Sequence, residues 1–220
     1  MKRPGFAPLV LIVSACAAMT PRLPAPLTPA ATLTVISWNL HEGDGRLDEL
    51  SATLAEPYVL LLQEAVKDSY PFAAFTPTRV SDGVQLGNAI VSTLPLSAIR
   101  RIDLPRERQP RAALAASIDV AGQPFTVVTT HLENRVSWFR GGLFSEGARA
   151  RQARALVNAL PEDGTVVLGG DFNTWLGSAE PAWRLLREHF PAPTSANGSR
   201  PTFRDRLTLD HLFARLPTGW

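Results

Sequence analysis

Short apolar runs recur along this chain, and several of them close on a side chain that carries chemistry. Residues 32–37, T-L-T-V-I-S, combine β-branched residues with partial alternation and predict a strand that delivers Trp38 and Asn39. The continuous run at 58–62 predicts a second, buried strand ending in Gln63 and Glu64. Between them, Leu47, Leu50 and Leu54 fall at helical spacing within 46–55, and Pro57 stops that helix. The signal is weak from Lys67 to Gln85, which reads as loops with a short element. Residues 87–92 and 96–102 read as paired strands around Leu94-Pro95. Strands follow at 112–120 and 125–130, joined by Gly122-Gln123, and the second ends in His131. Ala150, Ala153, Leu156, Val157 and Leu160 share one face of a helix over 146–160. Another helix is expected over 181–190, with Pro181 in its first turn, and a last strand over 206–216. Helices and strands alternate only partly. That pattern favours an α+β layered sandwich of mixed sheets with helices outside over a doubly wound parallel sheet.

The stretch around which the others are ordered is T-V-V-L-G-G-D-F-N, 165–173. Val166-Val167-Leu168 predicts a buried strand, and Gly169-Gly170 remove side chains where the backbone must bend or be approached closely. Were the extended conformation to continue, Asp171 and Asn173 would share one face, with Phe172 opposite. Gly, Asp and Asn are equally turn formers, so a turn is the competing reading.

Five strands thus deliver Asn39, Glu64, His131, Asp171 with Asn173, and Asp210 at or near their ends, which predicts one polar pocket at one rim of the sheets. This set suits metal-assisted phosphoester hydrolysis. Glu64, with Asn39 as neighbouring ligand or orienter, fits a hard cation such as Mg2+, or Mn2+ in its place, completed by water and substrate phosphate. Asp171 would orient and deprotonate the attacking water. Asn173 and His131 would donate hydrogen bonds to the charge growing on the phosphoryl oxygens.

The motifs I-S-W-N (36–39), L-Q-E (62–64), G-N-A-I-V-S (87–92), T-H-L (130–132), G-G-D-F-N (169–173) and L-D-H-L-F (209–213) stand in an order that resembles the endonuclease/exonuclease/phosphatase superfamily, with its deoxyribonuclease-I-like fold. The resemblance runs over about residues 32–213. It implies a four-layered α/β sandwich and Mg2+-dependent phosphoester cleavage. By motif it assigns Asn39 and Glu64 to the metal site, His131 to the phosphate site, and Asp171 and Asn173 to water activation and phosphate binding. Asp210 matches the acid that orients a catalytic histidine, and Arg111 a position often basic in the superfamily that contacts substrate phosphate. That histidine belongs to a Ser-Asp-His motif on a further strand, and no such triplet occurs in the 220 residues. The expectation is therefore a chain truncated as given or catalytically crippled. His211 directly follows Asp210 and on a strand faces the other way. A catalytically inactive, membrane-tethered binding module of the same fold is the alternative to a phosphodiesterase, nuclease or phosphatase. The substrate classes that remain open are nucleic acid, a phospholipid head group and a small phosphoester, taken by a monomer.

Other chemistry-bearing residues have plainer readings. His41 reads as an exposed or loop-capping histidine, and His189 as a helix-dipole partner. The arginines of 100–111, Arg111 included, read as a solvated or salt-bridged face. Trp138, Phe139 and Phe144 either touch a lipid or a base or pack their loop down.

Charge changes the picture mainly at the N-terminus. Met1-Lys2-Arg3 followed by the apolar run 6–15 reads as a signal peptide over 1–15. Val13-Ser14-Ala15-Cys16 resembles a lipoprotein processing site, which makes Cys16, the single cysteine, a lipidation site. Pro21, Pro24, Pro26 and Pro29 then mark 16–31 as a lipid-anchored tether before a domain over 32–220. The protein is accordingly expected to be exported and held at a membrane surface, facing the periplasm or cell exterior. The whole sequence has 22 Lys and Arg against 20 Asp and Glu; without Lys2 and Arg3 the count is 20 against 20. A neutral balance of that kind gives no case for extended duplex DNA, which calls for several phosphate-neutralising basic residues.

Overall fold

The computed structural model describes residues 32–43, 45–67, 73–134, 145–192, 201–204 and 206–218. The segments expected to be a signal peptide and a tether, with Cys16, and the three loop aromatics lie outside these residues. Among the described residues nine strands form two mixed sheets. The first contains β1 (Thr34–Asn39), β2 (Tyr58–Val66), β3 (Ala73–Ser81) and β4 (Val84–Ser92), in the order β1-β2-β4-β3. The second contains β5 (Ser97–Asp103), β6 (Ala112–Val120), β7 (Gln123–His131), β8 (Thr165–Asp171) and β9 (Asp210–Arg215), in sequence order. Parallel pairs β1·β2 and β7·β8 sit among antiparallel neighbours. Helix α1 (Leu47–Ser51) covers the first sheet; α2 (Glu146–Ala159) and α3 (Pro181–His189) cover the second.

Three apolar clusters explain why the strand sequences are nearly all hydrophobic. On β2, Val59 and Leu61 face the other sheet, where they meet Leu114, Ala116, Val127 and Val167, while Leu60 and Leu62 face α1. On β8, Val167 points into that same gap, and Val166 and Leu168 point at Leu156, Leu186 and Phe190 of the helical layer. A strand buried on both faces shows no alternation. The resulting order of layers is helix, sheet, sheet, helices, which is the four-layered sandwich expected.

Five local expectations change. The segment read as loops, 67–85, contains β3 and the start of β4. Here β3 is an edge strand and carries Pro77, which is tolerated there but erases the strand signature. Residues 87–92 and 96–102 do not pair with each other: Leu94-Pro95 carries the chain from one sheet to the other. The first helix is only Leu47–Ser51, short of the expected 46–55, and the last strand begins at Asp210, not 206. On α2 the buried side includes Arg149 and Gln152 as well as Ala153 and Leu156. The apolar stripe alone did not show this polar pair.

Gly170 shows how tightly the second sheet closes beside the polar rim. A Cβ there would lie 2.1 Å from the Thr130 carbonyl oxygen of β7, with no flexible side chain to give way. Gly170→Ala must therefore spread β7 from β8 next to the paired His131 and Asp171. The expected result is a loss of about 2 kcal/mol or more in chemical denaturation, as for other overpacked cores. Wild-type stability in that variant would show that the two strands are not held at this spacing.

Candidate active site

Register brings the polar residues to one rim. The parallel strands β7 and β8 end together, so that His131 lies opposite Asp171, and antiparallel β9 begins there, so that Asp210 lies on the other side of Asp171. Side-chain hydrogen bonds tie the two sheets together along this rim, among them three donated by amide side chains. Asn39 Nδ2 donates to Asp171 Oδ2 at 3.1 Å. The buried Gln63 Nε2 donates to Thr129 Oγ1 at 2.9 Å, and Asn88 Nδ2 donates to the Ala112 carbonyl at 2.7 Å. Bonds of this kind between buried groups are individually modest but costly to leave half-made. They hold β1, β2 and β4 over β8, β7 and β6.

The predicted residues form a contiguous chain across the two sheets. Asn39 bonds Asp171; His131 Nε2 lies 3.5 Å from Asp171 Oδ2, and His131 Nδ1 lies 3.7 Å from Glu64 Oε1. Glu64 does not end its strand as expected. It sits in a β-bulge between Leu62 and Ala65 with φ at +53°, and β2 continues to Val66. A bulge adds a residue to one strand and re-aims its side chain. This one turns Glu64 towards a cleft of about 300 Å³ lined also by Glu42, Arg79, Gln109, Arg111 and His131. Left-handed backbone at a glutamate carries a strain of about 1 kcal/mol or more, which persists only where surrounding structure enforces it.

Asn173 departs from the extended reading: its φ is +50°, so the chain turns after Asp171. The turn is held by its own N–H, which donates to Asp171 Oδ1 at 3.0 Å, and by Nδ2, which donates to the Leu132 carbonyl at 3.2 Å. Asn173 thus orients Asp171 through the backbone, and its amide nitrogen is engaged away from the cleft. Asp210 lines a separate pocket with Ser37, Asn39, His41 and Thr202, and its buried Oδ1 has no hydrogen-bond partner.

Arg111 is not on a solvated face. It is only 7% exposed, its Nε has no hydrogen-bond partner, and it lines the same cleft as Glu64 and His131. The plainer readings hold for the remaining histidines. His41 is exposed, with its N–H on Asn39 Oδ1; His189 Nδ1 lies 2.9 Å from the Leu185 carbonyl in α3; His211 packs against Phe172 and Phe213 with Thr174 Oγ1 2.8 Å from its Nε2.

Burial sets the protonation pattern. It drives His131 well below the ordinary histidine range, and the positive charges of Arg111 and Arg79 add to this, so the ring is neutral. Burial and the neighbouring Asp210 raise Asp171 to about 7, against the opposing pull of Asn39, the Asn173 N–H and Arg111. Burial raises Asp210 as well and lowers Arg111. A buried acid with a pKa near neutrality, beside a neutral imidazole and a buried guanidinium, is suited to moving a proton close to an anion.

Among the described residues no three of His, Cys, Asp and Glu cluster as a metal site. The donor set at Glu64 is of another kind: one carboxylate, a quarter exposed, which accepts no hydrogen bond from a described residue, on a strand beside that of the Asn39 amide. Hard cations held by one carboxylate with water and phosphate use such a set. Sequence reasoning missed Gln63, Asn88, Arg79 and Glu133. Buried polar residues inside apolar runs, as in L-Q-E and T-H-L-E, were the available signal.

Comparison with known proteins agrees with this architecture. Tyrosyl-DNA phosphodiesterase 2 of Mus musculus is 24% identical over 168 residues, a match covering 67% of this chain and 43% of that protein, so the chain spans less than half of its relative. A humanized D. rerio TDP2 superposes with a TM-score of 0.60 at 20% identity, covering 86% of this chain and 85% of that one. Sphingomyelinase C from Streptomyces griseocarneus gives 0.60 at 22%, covering 88% and 87%. These structural likenesses establish the fold. Residues 36–218, most of the chain and all of the rim described above, match the sequence pattern of the Endonuclease/Exonuclease/phosphatase family, and the chain belongs to that family.

Proposed function

We propose that this protein is a Mg2+-dependent phosphoester hydrolase. The observation that carries the reading is the unbroken line of Asn39, Asp171, His131 and Glu64 beside the uncommitted guanidinium of Arg111. Glu64, with the Asn39 amide oxygen, would hold the cation, which when bound neutralises charge on the phosphate and keeps it in place. Arg111 donates to the phosphoryl oxygens with a fork suited to them. Asp171, fixed by Asn39 on one oxygen and by the Asn173 N–H on the other, takes a proton from the attacking water. His131, kept neutral, offers a ring N–H to the charge that develops on the phosphoryl group. Family membership and relatives named as a phosphodiesterase and a sphingomyelinase support phosphodiester substrates. The leader and Cys16 support action at a membrane surface outside the cytoplasm.

The test is hydrolysis of bis(4-nitrophenyl) phosphate with Mg2+, after EDTA, and by Glu64→Gln. EDTA and the substitution are each expected to remove at least about a hundredfold of the rate, and calorimetric Mg2+ binding should weaken in the variant. Undiminished turnover in EDTA, or by Glu64→Gln, rules out the metal-assisted reading.

A further inference from the structure

A guanidinium that is buried and makes no hydrogen bond needs a reason to be there. The Arg111 guanidinium takes part in no hydrogen bond or ion pair with a described residue, its Nε is buried without a partner, and burial works against its charge. The strongest opposing influence is Glu133, ahead of Asp171 and Glu64. Glu133 is 1% exposed and lies two residues beyond His131, where the chain leaves β7.

The carboxylate of Glu133 is occupied by main chain. Oε2 accepts the N–H groups of Arg108, at 2.9 Å, and Gln109, at 3.1 Å, and Oε1 accepts that of Asn134 at 3.1 Å. The first two belong to the loop that joins β5 to β6 and ends at Arg111. That loop is closed by Leu104 N–H on the Arg111 carbonyl at 3.1 Å and tied to α2 by Gln152 Nε2 on the Pro105 carbonyl. Glu133 therefore sets the path of the segment carrying Arg111 and is the strongest negative influence on it, while three backbone N–H groups occupy its carboxylate. A direct, bidentate Glu–Arg pair would have balanced the same charges and consumed the fork that recognises phosphate.

We propose that Glu133 is a positioning residue for an anion subsite at Arg111: it fixes the backbone that carries the arginine and balances its charge without taking its donors, which stay free for a phosphoryl oxygen. This rests on the phosphoester reading only in the identity of the ligand.

Inorganic phosphate is the probe, its affinity for the full chain measured by titration calorimetry alongside thermal unfolding. Glu133→Gln keeps an oxygen for the Arg108 and Gln109 N–H groups and removes the charge. It is expected to weaken phosphate binding about tenfold, as is Arg111→Met, and the double variant should bind no more weakly than Arg111→Met alone. Additive losses, wild-type affinity in Glu133→Gln despite a lower unfolding temperature, or wild-type affinity in Arg111→Met would each overturn the proposal. Should Glu133→Gln fail to fold, adding Arg111→Met should restore folding, since the uncompensated charge is then gone; a double variant that also fails overturns it. Phosphate binding that follows this pattern in a protein without turnover would leave the inference standing and remove the hydrolase reading. Turnover with phosphate affinity indifferent to Arg111 would do the reverse.

Discussion

On the proposed hydrolase function, Asp171→Asn will cut phosphodiesters at least about a hundredfold more slowly than the wild-type chain, the usual scale for losing a general base, and will nevertheless be the more stable protein at pH 8. The two effects have one cause. Burial and the neighbouring Asp210 raise the Asp171 carboxyl to about 7, far above the ordinary carboxylate. In the folded protein this acid keeps a proton that the unfolded chain has already released between about pH 4 and 7. Its stabilising contribution is complete below the ordinary carboxylate pKa and is lost as pH rises through about 7; above that, folding must bury a charge. Asparagine is never charged, so its advantage should be absent at pH 4 and reach roughly 1–3 kcal/mol at pH 8. The upper part of the shift is offset by about 1 kcal/mol, because an amide cannot accept from both Asn39 Nδ2 and the Asn173 N–H. Urea denaturation at the two pH values, without added metal, measures the difference. A variant less stable than wild type at both would mean that the carboxylate is better compensated than its surroundings indicate.

The largest stability loss is expected from Arg149→Leu. Arg149 and Glu180 are both fully buried, with Arg149 Nε 2.7 Å from Glu180 Oε1. Removing the arginine leaves a carboxylate in the interior with, among the described residues, only the Leu176 N–H, at 3.2 Å, to solvate it. Breaking one half of a buried pair costs about 3–5 kcal/mol, whereas replacing both halves with apolar residues is often close to neutral. Denaturation of Arg149→Leu and of Arg149→Leu with Glu180→Leu should show that contrast; a loss below about 1 kcal/mol in the single variant would contradict it. The pair also serves the rim. Arg149 Nη1 reaches the Glu133 carbonyl, and Glu180 holds the turn that follows Asn173, so the chain segments leaving β7 and β8 are fastened to α2 through one ion pair. Activity should fall with stability, and a fully active but destabilised Arg149→Leu would separate the two roles.

The strands were legible because both faces of each sheet are covered. Runs such as 58–62 and 166–168 have no other stable fate than a buried strand, and the polar residues that close them stand out against the run. The ordered motifs then named the family and six of the rim residues, Asn39, Glu64, His131, Asp171, Asn173 and Asp210. β3 was illegible because an edge strand carrying Pro77 has little pattern to show. The 87–102 segment was misread because sequence distance alone does not separate a hairpin from a crossing between sheets.

What the amino-acid sequence determined by itself was therefore which segments become strands and which side chains terminate them, since both follow from local burial and spacing. Only the tertiary structure decided how those side chains are used. The bulge that turns Glu64, the left-handed turn that makes Asn173 a support for Asp171, and the withdrawal of Arg111 from solvent each depend on contacts between segments distant in the chain. Such contacts exist only once two sheets have closed on each other. Desolvation, which sets the charge state of His131, Asp171 and Arg111, arises in the same closure and has no counterpart in the linear chain.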